Sequence, residues 1–566
     1  MNHSQNDSSV NSIKSTDLFM PYQGKGIRNI YIKKFEFDKM FTDTSKRISY
    51  FGTNILNHLH KTSRDWVIRD NLFIKEHSVL DAYKLADNER YLRSLNFIQD
   101  ARIEVLPVPG NADSVDLEVI TKDLFSISGA VNGVSNNNFN ITASESNLLG
   151  MGQRIEGTTL FQTNRSPTFG YEFSYSKNSL ANSFVNASVM YTTINPNLAD
   201  GSPNETAKFI QLQRPLVSEF MHLAGGVSFG TTESFNAYGQ PDSLFYKYSY
   251  QTFDAWLGYA LGHNKASSKS DVRDRRFLSL RYLQNNFNQT PYQIDHRYNT
   301  KFNDREAVLA QFTFFKQDFY KTNYIFGFGT TEDIPHGYNI SLTSGWYRQL
   351  DLKRFYAGLE LNKYVASRHG DFFQYFLRSG GYLKNGQWQD ASVLLGGSLY
   401  SRLLHLGNTK IRQFASFSFT RLFNNVAIDA LRLDNPFGLR YFSSDSTIGQ
   451  RRFSFHEETF FFLKYKLLGF KFAPFTFADA ALLTPPMQPF SRSQVYYGLG
   501  CGVRTRNENL VFGTMEFRLV YFPNNVAQNN PFKILTTINL QFRYNNTYVH
   551  APNVVQLNSD PTNNIY

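Results

Sequence analysis

The sequence predicts a transmembrane antiparallel β-barrel preceded by one small α+β domain. Three observations lead there. The composition is aromatic without being hydrophobic, helical spacing is confined to roughly the first 125 residues, and the rest alternates apolar and polar residues at period two. The chain has 566 residues with 53 Phe, 33 Tyr and 4 Trp, so aromatics reach 16%, yet hydrophobic content is 41% and mean hydropathy is −0.39. Such aromatic density excludes intrinsic disorder. A helical membrane protein is excluded too, because a spanning helix needs about 20 predominantly apolar residues. The best candidate, Leu467 to Leu483, contains Lys471, Pro474 and Asp479.

Charge and cysteine use narrow the function classes. Net charge is +11, and Lys+Arg and Asp+Glu number 17 each over residues 1–125, so the whole excess falls later in the chain. The basic residues are scattered among aromatic strands and form no cluster, which argues against nucleic acid as a partner and suits an anionic membrane surface. A single cysteine, Cys501, excludes an intramolecular disulfide and any Cys-based metal cluster. Its parity with Leu499 and Val503 makes it lipid-facing and inert. Twelve histidines show no HxxxH or HExxH spacing. No catalytic residue, metal or cofactor is expected, and the chain reads as no enzyme. Met1 is followed by a polar run with no apolar h-region, so either a cytosolic chain or a numbering that begins after a removed leader is expected, and the barrel reading favours the second.

The elements follow in order. Residues 1–24 are rich in Ser and Asn and read as a flexible N-terminal segment. Residues 25–124 read as a domain of strand, helix, helix, strand, strand. Ile27 to Asp38 alternates as a strand. Thr44 or Ser45 caps a helix carrying Ile48, Phe51, Ile55, Leu56 and Leu59. A second helix runs from Asp81 to Leu95, with Leu85, Leu92 and Leu95 inward. Strands Ile98 to Val105 and Val115 to Thr121 are joined by the turn Pro107-Val108-Pro109-Gly110-Asn111.

Residues 125–544 read as the barrel. In the last strand Ile534, Thr536, Ile538, Leu540, Phe542 and Tyr544 share one face. Val511, Met515, Phe517, Leu519 and Tyr521 alternate with Thr514, Glu516 and Arg518, and Tyr338, Ile340, Leu342 and Trp346 with Asn339, Ser341 and Thr343. A soluble sandwich has the same periodicity with the faces inverted. Strands of nine to twelve residues, unbroken by helix, favour a tilted membrane crossing, since strands of globular proteins usually run 3–10 residues. In lipid every backbone amide must be paired, so the sheet closes on itself. Strand segments counted directly number sixteen to twenty. Residues 545–566 read as a C-terminal extension emerging beside the small domain.

Particular runs then resemble a known family. Asn88-Glu89-Arg90-Tyr91-Leu92-Arg93-Ser94-Leu95-Asn96-Phe97-Ile98 and its continuation to Ile103 resemble the second helix and strand of a POTRA module. Glu145-Ser146-Asn147-Leu148-Leu149-Gly150-Met151-Gly152-Gln153 resembles the turn after the second barrel strand. Gly438-Leu439-Arg440-Tyr441-Phe442, with Thr447-Ile448-Gly449, resembles the tip of a long loop folded into the barrel. There Tyr441 stands where the family has glycine, which puts the tight turn in question. Phe477-Ala478-Asp479-Ala480-Ala481 resembles a family strand motif, with Ala481 in place of glycine, and parity selects Glu458 over Glu457 as the glutamate between them. Spread over residues 26–544, these runs are similar to the outer-membrane assembly and two-partner secretion transporter superfamily, the BamA/TamA-like bacterial surface antigen family.

The resemblance implies sixteen strands, one periplasmic POTRA domain and a bacterial outer-membrane location. It implies insertion, assembly or translocation of client proteins, with a two-partner secretion pore or a lipid-transfer barrel as alternatives and a passive channel or barrel hydrolase behind them. The partners implied are outer-membrane lipids, unfolded outer-membrane or exported clients, and periplasmic or lipoprotein accessory subunits. A lumenal arginine needs acceptors, and two inward carboxylates offer them, so Arg440, Asp479 and Glu458 are expected to lock a loop whose tip is Gly438, Leu439, Tyr441 and Phe442. A lateral seam is expected between the first and last strands, at Val131 and at Ile534, Ile538 and Phe542. Arg451 and Arg452 read as hydrated loop charges.

Overall fold

The computed structural model describes residues 12–35, 61–135, 137–218, 220–261, 275–296, 298–325, 327–442, 444, 447–467, 469–507, 514–523, 531–540 and 549–559. A two-residue strand β1 (Ile13–Lys14) precedes the small domain, which contains β2 (Gly26–Phe35), α1 (Asp65–Arg69), α2 (Ala82–Ser94), β3 (Ile98–Val108) and β4 (Asn111–Asp123). The three longer strands form a mixed sheet in the order β2-β4-β3, with β2 parallel and β3 antiparallel to β4. Asp81 caps α2 by accepting from the backbone N–H groups of Tyr83 and Lys84. Leu85, Leu92 and Leu95 are buried against the sheet with Ile30, Ile103 and Val119. The helix expected at Ile48 to Leu59 lies outside the described residues.

Twenty long strands follow. They are β5 (Ile127–Ser135), β6 (Asn138–Glu145), β7 (Gln153–Gln162), β8 (Phe169–Lys177), β9 (Asn186–Pro196), β10 (Pro203–Arg214) and β11 (Leu223–Ser234). Next come β12 (Ser249–Leu261), β13 (Arg275–Gln289), β14 (Arg305–Thr322), β15 (Glu332–Gln349), β16 (Leu352–Ala366), β17 (Phe372–Lys384) and β18 (Gln387–Tyr400). The last six are β19 (Thr409–Phe423), β20 (Arg451–Phe462), β21 (Phe470–Thr484), β22 (Gln494–Asn507), β23 (Thr514–Tyr521) and β24 (Phe532–Leu540). Each strand pairs with the next, and β24 lies beside β5, so the sheet is a closed barrel. The count implied by the resemblance, sixteen, is therefore corrected to twenty among the described residues. Tight turns such as Asn385-Gly386, both at positive φ, separate the hairpin arms.

The barrel is inside-out relative to a soluble protein. On β15, Ile340, Leu342 and Trp346 are 37%, 55% and 63% exposed, while Asn339, Ser341 and Thr343 are buried. On β23, Phe517, Leu519 and Tyr521 face outward and Thr514, Glu516 and Arg518 inward. An apolar exterior around a polar interior is the arrangement a bilayer selects, and it rules out the sandwich. Cys501 is on the outer face. Among the described residues no helix is long and apolar enough to cross a membrane.

Two terminal readings are corrected. Residues 12–24, expected to be flexible, are docked on the barrel. Ile13 and Lys14 pair with Lys321 and Tyr320, Ser12 N donates to the Arg368 carbonyl, and Phe19 is buried in the small-domain core. Residues 549–559, expected to emerge beside the small domain, instead run inside the barrel. There Val549 packs with Leu216, Phe277 and Phe315, and Leu557 with Phe437 and Phe475. The burial of Phe19, Val549 and Leu557 accounts for both, since polar neighbours in sequence hid these apolar anchors.

The small domain covers one rim of the barrel. It touches the turns after β6, β8, β10 and β14, which alternate and so lie at the same end. Gly150, at φ +73, approaches so closely that a Cβ would lie 2.4 Å from the Thr62 carbonyl oxygen. Asn147 links the two parts by donating to Ser63 Oγ at 3.0 Å and accepting from Gly152 N at 2.8 Å. Ser63 in turn donates from its N–H to Asp123 Oδ2. Burial pushes the Asp123 carboxyl up to about 6, against the pull of these Ser63 hydrogen bonds.

Two predictions follow from this frame. Leu342→Arg, near the middle of β15, places a cation in lipid and is expected to cost about 2–4 kcal/mol; denaturant unfolding in phospholipid vesicles measures it, and parental stability would place that face out of the bilayer. Because folded Asp123 holds its proton more tightly than the unfolded chain does, its contribution declines as pH rises from the ordinary carboxylate range through about 6 and is flat above it. Protease sensitivity of the small domain is thus expected to increase over that interval in the parent, and Asp123→Asn is expected to flatten the profile.

Candidate functional site

The described residues of the loop 424–450, between β19 and β20, fold back into the lumen from the rim opposite the small domain. Its stem is a short antiparallel bridge, Leu431–Arg432 with Ile448–Gly449. Leu433, Phe437, Leu439 and Phe442 are buried against Phe460, Phe475 and Phe477 of the inner wall. The tip turns tightly. Leu439 N donates to the Leu433 carbonyl at 2.7 Å, and a Cβ on Gly438 would lie 2.0 Å from that same oxygen. Tyr441 keeps the turn its substitution for glycine put in question, adopting φ +62, a left-handed conformation that costs a non-glycine residue about 1–2 kcal/mol. Its ring lies 4.8 Å from the Arg518 guanidinium, and its carbonyl accepts from Lys533 Nζ at 3.0 Å.

Arg440 projects from this tip into a cluster of charged side chains. Its Nη2 donates to Asp479 Oδ1 at 2.9 Å, while Nη1 is 3.7 Å from Glu458 Oε2. The expected clamp between two carboxylates is thus unequal, with one hydrogen bond and one longer ion pair. Glu458 bonds more closely to another arginine, accepting from Arg518 Nη2 at 2.6 Å. Arg518 Nε and Arg504 Nε both donate to Glu516, at 3.0 and 2.5 Å. His456 Nδ1 lies 3.1 Å from Asp479 Oδ1. Three guanidiniums therefore face three carboxylates in a neutral set, and all but Arg440 come from the barrel wall. Arg504 also stacks on Phe460 at 4.2 Å, and Arg518 on Phe475 and Phe477 at 4.6 and 4.5 Å.

Sequence reasoning missed Arg504 and His456, and it placed Glu516 and Arg518 on the polar face without joining them to the cluster. The usable signal was inward parity on the Glu458 strand itself and on the two strands that follow the Asp479 strand. Arg452 was misread as a hydrated loop charge. It is 1% exposed, and its Nη atoms donate to four uncharged oxygens: the Arg432 and Leu557 carbonyls, Asn558 Oδ1 and Thr420 Oγ1. Of the seam residues, Val131 and Ile534 face outward on β5 and β24. Ile538 belongs to β24, and Phe542 lies outside the described residues.

A second constellation docks the small domain. Arg93, on α2, donates from Nε and Nη2 to Asp333 of β15 at 2.8 and 2.6 Å, and Lys321 of β14 forms an ion pair with Glu89. Burial opposes the Glu89 charge, but Arg93 and Lys321 hold its carboxyl below the usual range. Arg90 donates to the Val217 carbonyl at 3.0 Å and covers the Phe319 ring at 3.9 Å. A buried pair broken on one side leaves the other charge uncompensated, so loss of either partner weakens the attachment of α2 to the rim.

Among the described residues, the Ser, Asp and His that a hydrolase would use are engaged elsewhere. The pattern Gly226-Val227-Ser228-Phe229-Gly230 has the spacing of a nucleophile elbow, but it lies within β11, where Ser228 is paired with Gln211 and Asp254, not on a strand-to-helix turn. Asp254 is taken up by Arg281 at 2.8 and 2.7 Å, and His550 by Glu360 at 3.5 Å. Among the described residues no metal-binding group of His, Cys, Asp or Glu occurs.

Fold and site thus define an antiparallel transmembrane β-barrel with an inward-folded loop and a docked N-terminal domain. No family model and no curated protein matches the sequence. Among solved structures the chain is similar to BamA from Haemophilus ducreyi lacking POTRA domains 1–3, at 13% identity and TM-score 0.34, covering 90% of this chain and 84% of that one. It is also similar to CdiB from Escherichia coli, at 10% identity and TM-score 0.42, covering 91% and 76%. For CdiB from Acinetobacter baumannii the values are 9% and 0.34, covering 86% and 74%. At such scores the weight falls on the chain's own geometry.

Removing the Arg440 side chain leaves Asp479 buried without its cation, a loss of about 3–5 kcal/mol for a buried pair. Arg440→Ala is therefore expected to free the loop tip and raise its cleavage rate by an added protease at least several-fold. Unchanged protection would show that the apolar contacts alone hold the loop.

Proposed function

We propose that this chain is a bacterial outer-membrane barrel that handles unfolded client polypeptides, inserting them into the membrane or passing them across it, with its small domain, a single POTRA-like module, in the periplasm. The observation that carries the reading is the loop clamped inside the lumen by Arg440. A diffusion channel needs a continuous aqueous path, and here the interior holds that loop and the C-terminal residues while the small domain stands over one rim. An interior so occupied is suited to controlled passage of something that displaces its contents.

Two further features support the same reading. Among the described residues, β24 beside β5 is the one junction of the barrel wall whose strands are not consecutive in sequence. It is therefore the junction that can part without breaking a hairpin, which makes it the natural seam. In the small domain β3 is an edge strand with one partner among the described residues, and a sheet edge can accept an extended client segment by strand addition. Outer-membrane lipids and accessory subunits at the periplasmic face are the remaining partners. The chemistry calls for no enzyme activity and no cofactor, and the work derives from client folding and lipid burial.

Depletion of the protein, followed by an inventory of the outer membrane, tests the reading. Loss of several barrel proteins is the expected result. Loss of one exported partner alone would make it a two-partner secretion pore, altered lipid asymmetry would make it a lipid-transfer barrel, and an unchanged inventory would overturn the proposal. Crosslinking Val131→Cys to Ile538→Cys in a Cys501→Ser background is expected to block client assembly with the barrel intact; full activity in the crosslinked state would exclude lateral opening.

A further inference from the structure

The C-terminal residues 549–558 read Val-His-Ala-Pro-Asn-Val-Val-Gln-Leu-Asn, with no Asp, Glu, Lys or Arg. They adopt no helix or strand and run through the barrel from the small-domain rim to the inward loop. Val549 is buried beside Leu216 and Phe319 at one end, and Asn558 meets the Ala430 carbonyl and the Arg432 N–H at the other, at 2.9 and 3.1 Å.

The way the wall holds this segment is informative. Arg281, fixed by Asp254, donates from Nη1 to the Pro552 carbonyl at 2.9 Å. Val555 N donates to Tyr356 Oη at 2.9 Å, and Arg452 Nη2 donates to the Leu557 carbonyl at 2.6 Å. Three of the contacts are thus to main-chain atoms, which every polypeptide presents. The side chains add apolar anchors, with Val554 against Tyr347 and Tyr382 and Leu557 against Phe437. Arg452 is a buried cation whose acceptors are all uncharged, and two of the four belong to the tail. Such a group is costly to bury when its donors go unfilled, and the tail supplies two of the four acceptors of its Nη atoms, so an occupant lowers that cost. Beside the tail a cavity of ≈ 340 Å³, bounded by Trp256, Arg281, Glu360 and Arg378, leaves room for side chains larger than those present.

We infer that the inner wall carries a binding track for an extended polypeptide free of Asp, Glu, Lys and Arg, read through its main chain by Arg281, Tyr356 and Arg452, and that the chain's own C-terminal residues 549–558 are its resident, displaceable occupant. Resting on the client-handling reading, this assigns the track to an extended client segment that competes with the tail. Main-chain recognition makes the track tolerant of client sequence, and a tail whose one ionisable side chain, His550, meets Glu360 at 3.5 Å makes segments without Asp, Glu, Lys or Arg the class it takes.

The test uses a fluorescent peptide of residues 549–558 as probe. It is expected to bind saturably to the chain ended after Tyr548, folded as judged by heat-modifiable mobility. Binding to the full chain is expected to be at least about ten-fold weaker, since a tethered competitor acts at an effective concentration in the millimolar range. A version of the peptide carrying Val555→Asp is expected to bind neither. Equal binding to both chains, or no saturable binding to the folded truncated barrel, would overturn the inference. A second measurement does not depend on truncation: a thiol at Val555→Cys, in a Cys501→Ser background, is expected to resist a hydrophilic maleimide in the full chain and to become reactive in Arg452→Met. Immediate labelling in the parent, or no change in the variant, would also overturn it. Failure of peptide binding with loss of outer-membrane proteins on depletion would remove the track but leave the client-handling reading, and the reverse result would do the opposite.

Discussion

The constraint on which everything else depends is backbone pairing in a solvent that offers no hydrogen bonds. Once the apolar faces of the long strands look outward to lipid, an open sheet edge in the hydrocarbon layer is untenable, and the last strand must meet the first. Closure in turn makes an interior. That interior collects the alternate residue of the strands, which is why Ser279, Gln311, Ser341, Arg378 and Glu516 are buried. The polarity of the lumen is a consequence of the wall's period, and the charged cluster at Arg440 is a consequence of that polarity.

Buried charge in such an interior is tolerable only when it is balanced. Arg440, Arg504 and Arg518 against Glu458, Asp479 and Glu516 reach neutrality through short contacts distributed over four strands and one loop. The loop therefore supplies one charge to a set that the wall would otherwise leave unbalanced. The wall and loop are in this sense complementary: the loop gains a fixed position, and the wall gains the third cation. Arg452 follows a different route, with peptide and amide oxygens in place of carboxylates, and that difference distinguishes a structural lock from a surface that meets a polypeptide.

The small domain is anchored by the same logic at a smaller scale. Glu89, Arg90 and Arg93 lie on a helix whose apolar residues face its own sheet, so their side chains are free to meet Lys321, Val217 and Asp333 at the barrel rim. Their run in the sequence was legible as a resemblance to a module, but its role as a docking face was not, because the partners are 127 to 240 residues away.

The sequence alone determined the period of the strands, the balance of aromatic and polar residues, the α+β character of the first domain, and Arg440, Asp479 and Glu458 as members of one site. These are composition, local periodicity or matches to short runs, and none needs the tertiary structure. The tertiary structure decided the rest. Among the described residues twenty strands, not sixteen, close the wall, because strand number depends on where hairpins turn and not on period. Glu458 serves Arg518 more closely than Arg440, because cross-strand register sets which carboxylate reaches which guanidinium. Arg452 and residues 549–558 are inside, because their acceptors, donors and apolar partners come together only when a closed sheet brings distant strands around a common axis.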